Sequence, residues 1–342
     1  MMFQKSHLLK HEDDRSKEFK PNPKLVNLIT ELKQILEPVQ EQLNQKYQAP
    51  KYPVVVVVGN ARSGTTVLTQ ILSATDCFSY PTNFLSRLAY APWIGAMIQQ
   101  MLFNPAYDFH GELNDIQSAS GFTSLVGKTR GALGINEFFH FWRKFFPNYD
   151  PGYIPDEFLE KVDVDRMRSE LASIESVFNK PFMSKGMMMQ YNVAFFAEKL
   201  PELFFIHIKR DPSYVMQSVM MSRKKFYGTD QIWWSVKPKE YDLLSEMPPI
   251  YQVAGQVLYT MQAIERGLSV IDKSRKMICS YENLCENPKK IFKELQIKLA
   301  KYGCPLTNYN IKRRFECQNK LKIPEEEFKA LEAAYEELKS ND

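Results

Sequence analysis

The sequence predicts an α/β fold, a mostly parallel central sheet flanked by helices, and three observations carry that reading. Five consecutive valines, Val54–Val58, form a short apolar β-branched run of the kind buried on both faces of a parallel sheet. The run breaks at Gly59, passes through Asn60-Ala61-Arg62-Ser63-Gly64 and enters residues 65–72, which read as a helix. Two later apolar runs, 203–208 and 277–281, each lead into a helical pattern, the alternation expected of a parallel sheet.

Along the chain, residues 1–20 are charged and unpatterned and are expected as a loose tail before a single domain over 21–342. Leu25, Leu28, Ile29, Leu32, Ile35, Leu36 and Val39 follow a helical period and predict an N-terminal helix over 24–45. Pro50 and Pro53 separate it from the first strand, and residues 77–80 read as a second short strand. Residues 83–179 are aromatic and rich in helical signals, with breaks at Asn104-Pro105, Gly111, Gly121, Gly131 and Pro151-Gly152. Insertions after the carboxyl end of a strand sit above the ligand crevice of an open α/β sheet, so this block is the expected acceptor-side wall. The strand at 203–208 ends in Lys209-Arg210-Asp211-Pro212, and a helix follows from Ser213 through about Arg223. The strand at 277–281 leads to a helix near Asn287-Pro288, amphipathic through Ile291, Phe292, Leu295 and Leu299. Pro324, with Glu325, Glu326 and Glu327 behind it, opens a C-terminal helix over 324–340.

Composition narrows the function classes. The 342 residues, 44% hydrophobic and 13% aromatic, describe a globular protein with a substantial core. A net charge of +4 without a dense Lys/Arg stripe suits an anionic small ligand better than nucleic acid. Five cysteines, odd in number and without C-x2-C pairs, read as reduced thiols. No apolar run approaches the roughly 18 residues of a membrane span, and the N-terminus lacks a signal-peptide core. The expectation is a cytoplasmic protein without a transmembrane segment or a nucleic-acid partner.

The buried strand, glycine-bounded turn and helix start form a phosphate cradle, where backbone N–H groups and the positive helix end converge on an anion. The loop is close to the nucleotide-binding pattern G-x4-G-K-[ST]. Thr65, however, stands where that pattern has lysine, and the positive charge lies upstream at Arg62. A second constellation is Arg210 with Ser218 eight residues later, about one and a half turns into the following helix, where its hydroxyl can share an anion with the guanidinium. Two anion positions imply a nucleotide phosphorylated at two places.

Residues 54–72 and 204–219, in this order, resemble the 5′- and 3′-phosphate-binding signatures of sulfotransferases that use 3′-phosphoadenosine 5′-phosphosulfate (PAPS). Arg62-Ser63-Gly64-Thr65-Thr66 is similar to the family's [KR]-S-G-T-T, and Arg210 and Ser218 match its Arg and Ser at the same spacing. Ser280-Tyr281-Glu282-Asn283-Leu284, followed by Asn287-Pro288, is similar to a family segment after a later strand. The resemblance runs from about residue 53 to 300, is poor across 83–179, and looks closer to bacterial members. It implies a P-loop-like sulfotransferase fold with a large helical insertion. It also implies PAPS as co-substrate, no metal, and transfer to a hydroxyl or amine of a small-molecule, lipid or glycan acceptor.

Residue by residue, the resemblance implies that Arg62 balances the 5′-phosphate leaving group, which Ser63, Gly64, Thr65 and Thr66 hold. Arg210 and Ser218 would hold the 3′-phosphate, and Tyr281 would lie near the adenine. Lys185 fits the family's lysine on the sulfonate, but Met187 stands where its histidine base would be. The base must then come from elsewhere. Glu137 and His140 are three apart, on one face if their segment is helical, with an aromatic surround that would raise a carboxyl pKa. Asp108 and His110 are further candidates on a loop. The aromatic insert (Trp93, Tyr107, Phe122, Phe138, Phe139, Phe141, Trp142) suits an apolar alcohol, a lipid or a sugar ring. Two other readings stay open at this point. A P-loop kinase or NTPase is opposed by Thr65 and by the lack of an apolar strand ending in an acid. A non-catalytic nucleotide-binding relative is kept open by the missing histidine.

Overall fold

The computed structural model describes residues 14–113, 124–125, 128–146, 152–307 and 315–341. The first half holds α1 (Pro23–Asn44), β1 (Val54–Val58), α2 (Thr65–Ser73), α3 (Pro92–Phe103), β2 (Ser124–Leu125), β3 (Lys128–Thr129), α4 (Phe139–Arg143), α5 (Asp156–Leu159) and α6 (Val164–Phe178). Then come β4 (Met183–Lys185), α7 (Val193–Lys199), β5 (Leu203–Lys209), α8 (Pro212–Tyr227), α9 (Tyr241–Ser245) and α10 (Pro249–Ser269). The chain closes with β6 (Lys276–Ser280), α11 (Tyr281–Glu286), α12 (Pro288–Ala300) and α13 (Glu325–Ser340).

The central sheet runs β4-β1-β5-β6, every pair parallel, and β2 and β3 form a separate antiparallel pair. Each valine of β1 is at most 1% exposed, because the strand has a strand neighbour on both sides and helices on both faces. The period-2 pleat divides the run. Val54, Val56 and Val58 pack with Leu171 and Ile174 of α6 and Phe196 of α7, while Val55 and Val57 pack with Leu68 and Ile71 of α2 and Phe292 of α12. A third apolar cluster joins α8, α10 and α13 through Val219, Val257 and Leu331.

Several elements differ from the sequence reading. Residues 77–80 are not a strand: Ser79 makes a single parallel bridge to Phe182. The neighbour of β1 is instead β4, whose three residues are too few to show a period. The helix expected through about Arg223 continues to Tyr227, where Gly228 at φ +74° ends it. The N-terminal helix spans Pro23–Asn44, but Leu28, Ile35 and Val39 of its apolar pattern are exposed; Gln40 is buried and accepts the Trp93 N–H. Residues 1–13 of the expected tail lie outside the described residues. Of residues 14–20, Phe19 is buried and stacked 4.0 Å from Phe226, while Asp14, Lys17, Glu18 and Lys20 are exposed. No helix among the described residues is long and apolar enough to cross a membrane.

Candidate active site

The site begins where β1 stops. A Cβ on Gly59 would lie 2.6 Å from the Ile208 carbonyl oxygen of β5, so the chain passes that strand only as glycine. The loop closes with Ser63 N–H donating to Asn60 O at 3.1 Å, and Asn60 Nδ2 anchors it to Val257 O of α10. Arg62 and Gly64 take φ +72° and +102°, the left-handed turn that swings the chain into α2. The first-turn amides of α2 have no intrahelical acceptor and carry the positive end of its dipole. Ser63 Oγ, buried in the loop just before them, has no hydrogen-bond partner among the described residues.

Two guanidiniums meet beside this loop. Arg210, just past the end of β5, donates through Nη1 to the Arg62 carbonyl at 2.9 Å, through Nε to Asn319 Oδ1 at 2.8 Å and through Nη2 to Gln318 O at 3.0 Å. Its guanidinium lies 4.7 Å over the Tyr281 ring, whose hydroxyl accepts the Gln318 N–H at 3.1 Å. Three of its five N–H donors are thus used and two remain for an anion. Burial pushes the Tyr281 phenol up to about 12. The Ser218 hydroxyl accepts from Arg62 Nε at 2.9 Å, and Arg210 donates to the carbonyl of that same Arg62. The two anion positions read separately from the sequence are therefore physically joined through Arg62. Burial, and then the neighbouring Arg210 charge, holds the Arg62 pKa below its ordinary value.

The third cation arrives from β4. Parallel pairing sets Lys185 beside Val57, and its side chain is 3% exposed. The ammonium donates to Thr66 Oγ1 at 2.7 Å and to Glu137 Oε1 at 3.4 Å. Desolvation lowers the Lys185 pKa, Glu137 opposes that shift, and the Arg62 charge adds to it.

Glu137 and His140 do not share a helix face. Phe138 at φ +55° is the left-handed cap from which α4 starts, so Glu137 precedes the helix and His140 sits exposed in its first turn. The His140 ring lies 6.1 Å from the Phe139 ring at 82° to it, and makes no hydrogen bond to Glu137 or Lys185 among the described residues. Nor do aromatics enclose the carboxylate: the Glu137 side chain is 43% exposed. Phe138, Phe141 and Trp142 instead belong to the core, Trp142 Nε1 donating to Ser184 Oγ at 3.3 Å. Tyr107 is exposed, and Phe122 lies outside the described residues. Asp108 and His110 follow α3 in a turn where Asp108 Oδ1 accepts the Leu113 N–H, with no hydrogen bond to Lys185 or Arg62. Asn319 and Gln318, which grip Arg210, were not singled out in the sequence; an amide and a backbone carbonyl carry no spacing signal there.

Arg62 and Arg210 thus meet at the loop beside a helix N-terminus, and the Lys185 ammonium links that loop to the Glu137 carboxylate, an arrangement able to attract an anion. A family model described as "Sulfotransferase family" matches residues 53–299. The chain is similar to the omega-hydroxy-beta-dihydromenaquinone-9 sulfotransferase Stf3 of Mycobacterium bovis and of Mycobacterium tuberculosis, 22% identical over 273 residues. That alignment covers 74% of this chain and 65% of those relatives. Among solved structures it resembles sulfotransferase STF1 from Mycobacterium tuberculosis H37Rv, at 13% identity over 89% of this chain and 78% of that one, TM-score 0.48. It also resembles sulfotransferase STF9 from Mycobacterium avium, at 13% identity over 86% of this chain and 69% of that one, TM-score 0.46. With most of its length inside the family match, the chain belongs to the sulfotransferase family.

Proposed function

We propose that the protein moves a sulfuryl group from PAPS to the hydroxyl or amine of an acceptor, releasing 3′,5′-ADP. The observation that carries this reading is the buried Lys185 ammonium, 2.7 Å from Thr66 at the phosphate loop and 3.4 Å from Glu137. The loop amides, Ser63, Thr65, Thr66 and Arg62 would hold the 5′ end of the nucleotide, and Arg210 with Tyr281 the 3′ end, with Ser218 reaching it through Arg62. The orphaned Ser63 hydroxyl and the two unused Arg210 donors fit that assignment.

Bound PAPS supplies the activated sulfuryl group, whose departure builds negative charge on the leaving oxygen. Lys185 and Arg62 are already oriented and desolvated, so they stabilise that charge without reorganising. Glu137, an acceptor when ionised, takes the proton from the attacking hydroxyl or amine. Its partial exposure leaves room for an acceptor to approach. An apolar alcohol is the acceptor class we favour, supported by the relatives named for a hydroxylated dihydromenaquinone.

The test is a thermal-shift comparison of 3′,5′-ADP, ADP and ATP, repeated with Arg210→Ala. The bisphosphate is expected to stabilise most, by about 2.7 kcal/mol at a hundredfold excess over Kd, and to lose that preference in the variant while ADP keeps its shift. Equal shifts for all three nucleotides would remove PAPS as donor.

A further inference from the structure

Glu137 lies outside regular structure, yet its carboxylate meets a buried ammonium at 3.4 Å. Holding a partly exposed side chain in one place costs conformational entropy, which rigid neighbours must offset. Two asparagines supply the rigidity. Asn136 Oδ1 accepts the Phe138 N–H at 2.9 Å and closes an Asx turn with Glu137 at its apex. The Asn136 backbone N–H donates to Pro81 O at 2.7 Å, and its Nδ2 donates to Asn83 Oδ1 at 3.0 Å. Asn83 is itself fastened: its Nδ2 donates to Gly131 O at 2.9 Å and Thr129 O at 3.1 Å, and its backbone N–H to Gly134 O at 2.8 Å.

The far side of the turn is equally constrained. Phe138 is fully buried and stacked on Phe141 at 4.4 Å while held at φ +55°. A left-handed aromatic residue is sterically strained, and such strain persists only where the surroundings over-determine it. The turn is therefore wound against its local preference, and its apex residue is the carboxylate beside Lys185.

We infer that Asn83 and Asn136 form a positioning pair that aims Glu137 at Lys185 and, through it, at the acceptor. The inference rests on the proposed reading of Glu137 as proton acceptor. Asn83 follows the phosphate-loop helix α2 by ten residues, so the segment that leaves this helix also sets the place of Glu137. Neither asparagine has a hydrogen bond to Lys185, Thr66 or Arg62 among the described residues, and both act through Glu137.

The test has a structural arm and a kinetic arm. In crystal structures of Asn136→Ala and Asn83→Ala, the Glu137 carboxylate is expected to move beyond about 4 Å of Lys185 Nζ, the limit of an ion pair. An intact contact in both variants would overturn the inference whatever the chemistry. With PAPS as donor and 4-nitrophenol as probe acceptor, Asn136→Ala is expected to lower kcat about 10- to 100-fold. The KM for PAPS and the thermal shift by 3′,5′-ADP should stay unchanged, and no further loss should appear in a Glu137→Gln background. Asn136→Ser, which keeps a short acceptor for the Phe138 N–H, should recover part of kcat and guards against a misfolded alanine variant. Independent losses from Glu137→Gln and Asn136→Ala, or a parallel loss of 3′,5′-ADP binding, would assign the asparagines to folding of the loop and reject the pair. A displaced Glu137 in enzymes of which even the wild type makes no sulfated product would support the positioning and reject the proposed function.

Discussion

Lys185 Nζ donates to Thr66 Oγ1 at 2.7 Å, a contact across 119 residues of sequence that ties the end of β4 to the first turn of α2. Parallel pairing of Lys185 with Val57 brings the two ends together, since β1 leads directly into the loop. The ammonium has three donors. One goes to Thr66 and one faces Glu137, which leaves one for a ligand at the loop mouth.

Replacing Lys185 by methionine keeps an unbranched apolar stem in a buried slot and removes the charge. Turnover should fall by about 10²–10³, the cost of losing one preorganised charge-stabilising donor. Affinity for 3′,5′-ADP, read by titration calorimetry, should change only a few-fold. Because burial holds the Lys185 pKa of the free protein below its ordinary value, the alkaline limb of the kcat/KM–pH profile for PAPS should fall below the free-lysine range of about 10.4. A limb at or above that range, or full turnover in the variant, would take Lys185 out of the chemistry.

Gly64→Ala tests the loop itself. The residue sits at φ +102°, and an added Cβ would lie 2.5 Å from Tyr281 Cδ2. The Tyr281 ring cannot easily yield, since its hydroxyl accepts the Gln318 N–H and Arg210 covers its face. The variant should lose about 1–3 kcal/mol of stability together with the 3′,5′-ADP thermal shift. Wild-type stability and binding in this variant would show that the loop does not need its left-handed turn.

His207 should shape acid stability. Burial in β5, reinforced by the Lys209 charge and opposed by Glu265, holds its pKa down at about 4. The unfolded chain takes up this proton near 6.5. Between those values the unfolded state binds more protons than the folded one, so the stability present above about pH 6.5 is lost progressively as pH falls, by about 3 kcal/mol once pH reaches 4. His207→Leu should flatten that portion of the stability–pH curve measured by urea unfolding. Parallel curves for the two proteins would show that His207 does not contribute to it.

Much of the site was legible in the sequence where its chemistry is local. Arg62, Gly64, Thr65 and Thr66 occupy one short loop, and a buried strand that runs into glycine and then a helix has few other conformations. Lys185 could be singled out only through the family resemblance, and the structure does bring it to the loop. The Glu137–His140 pairing was not recoverable this way. A three-residue spacing reads as one helix face, and only the buried, left-handed Phe138 breaks it. The Arg62–Ser218 contact likewise left no trace in the sequence, because helical spacing gives a residue's position along α8 but not which side chain lies opposite.

By itself, the order of residues determined the parallel α/β plan and the strand–glycine–helix corner, since apolar runs, glycines and helix starts act over a few neighbouring residues. Tertiary structure alone decided that Glu137 meets Lys185 across 48 residues, that Arg62 reaches Ser218 across 156, and that Gln318 and Asn319 close over Arg210. Those contacts depend on strand register and on how the insertion packs against the sheet, and neither leaves a periodic trace in the chain.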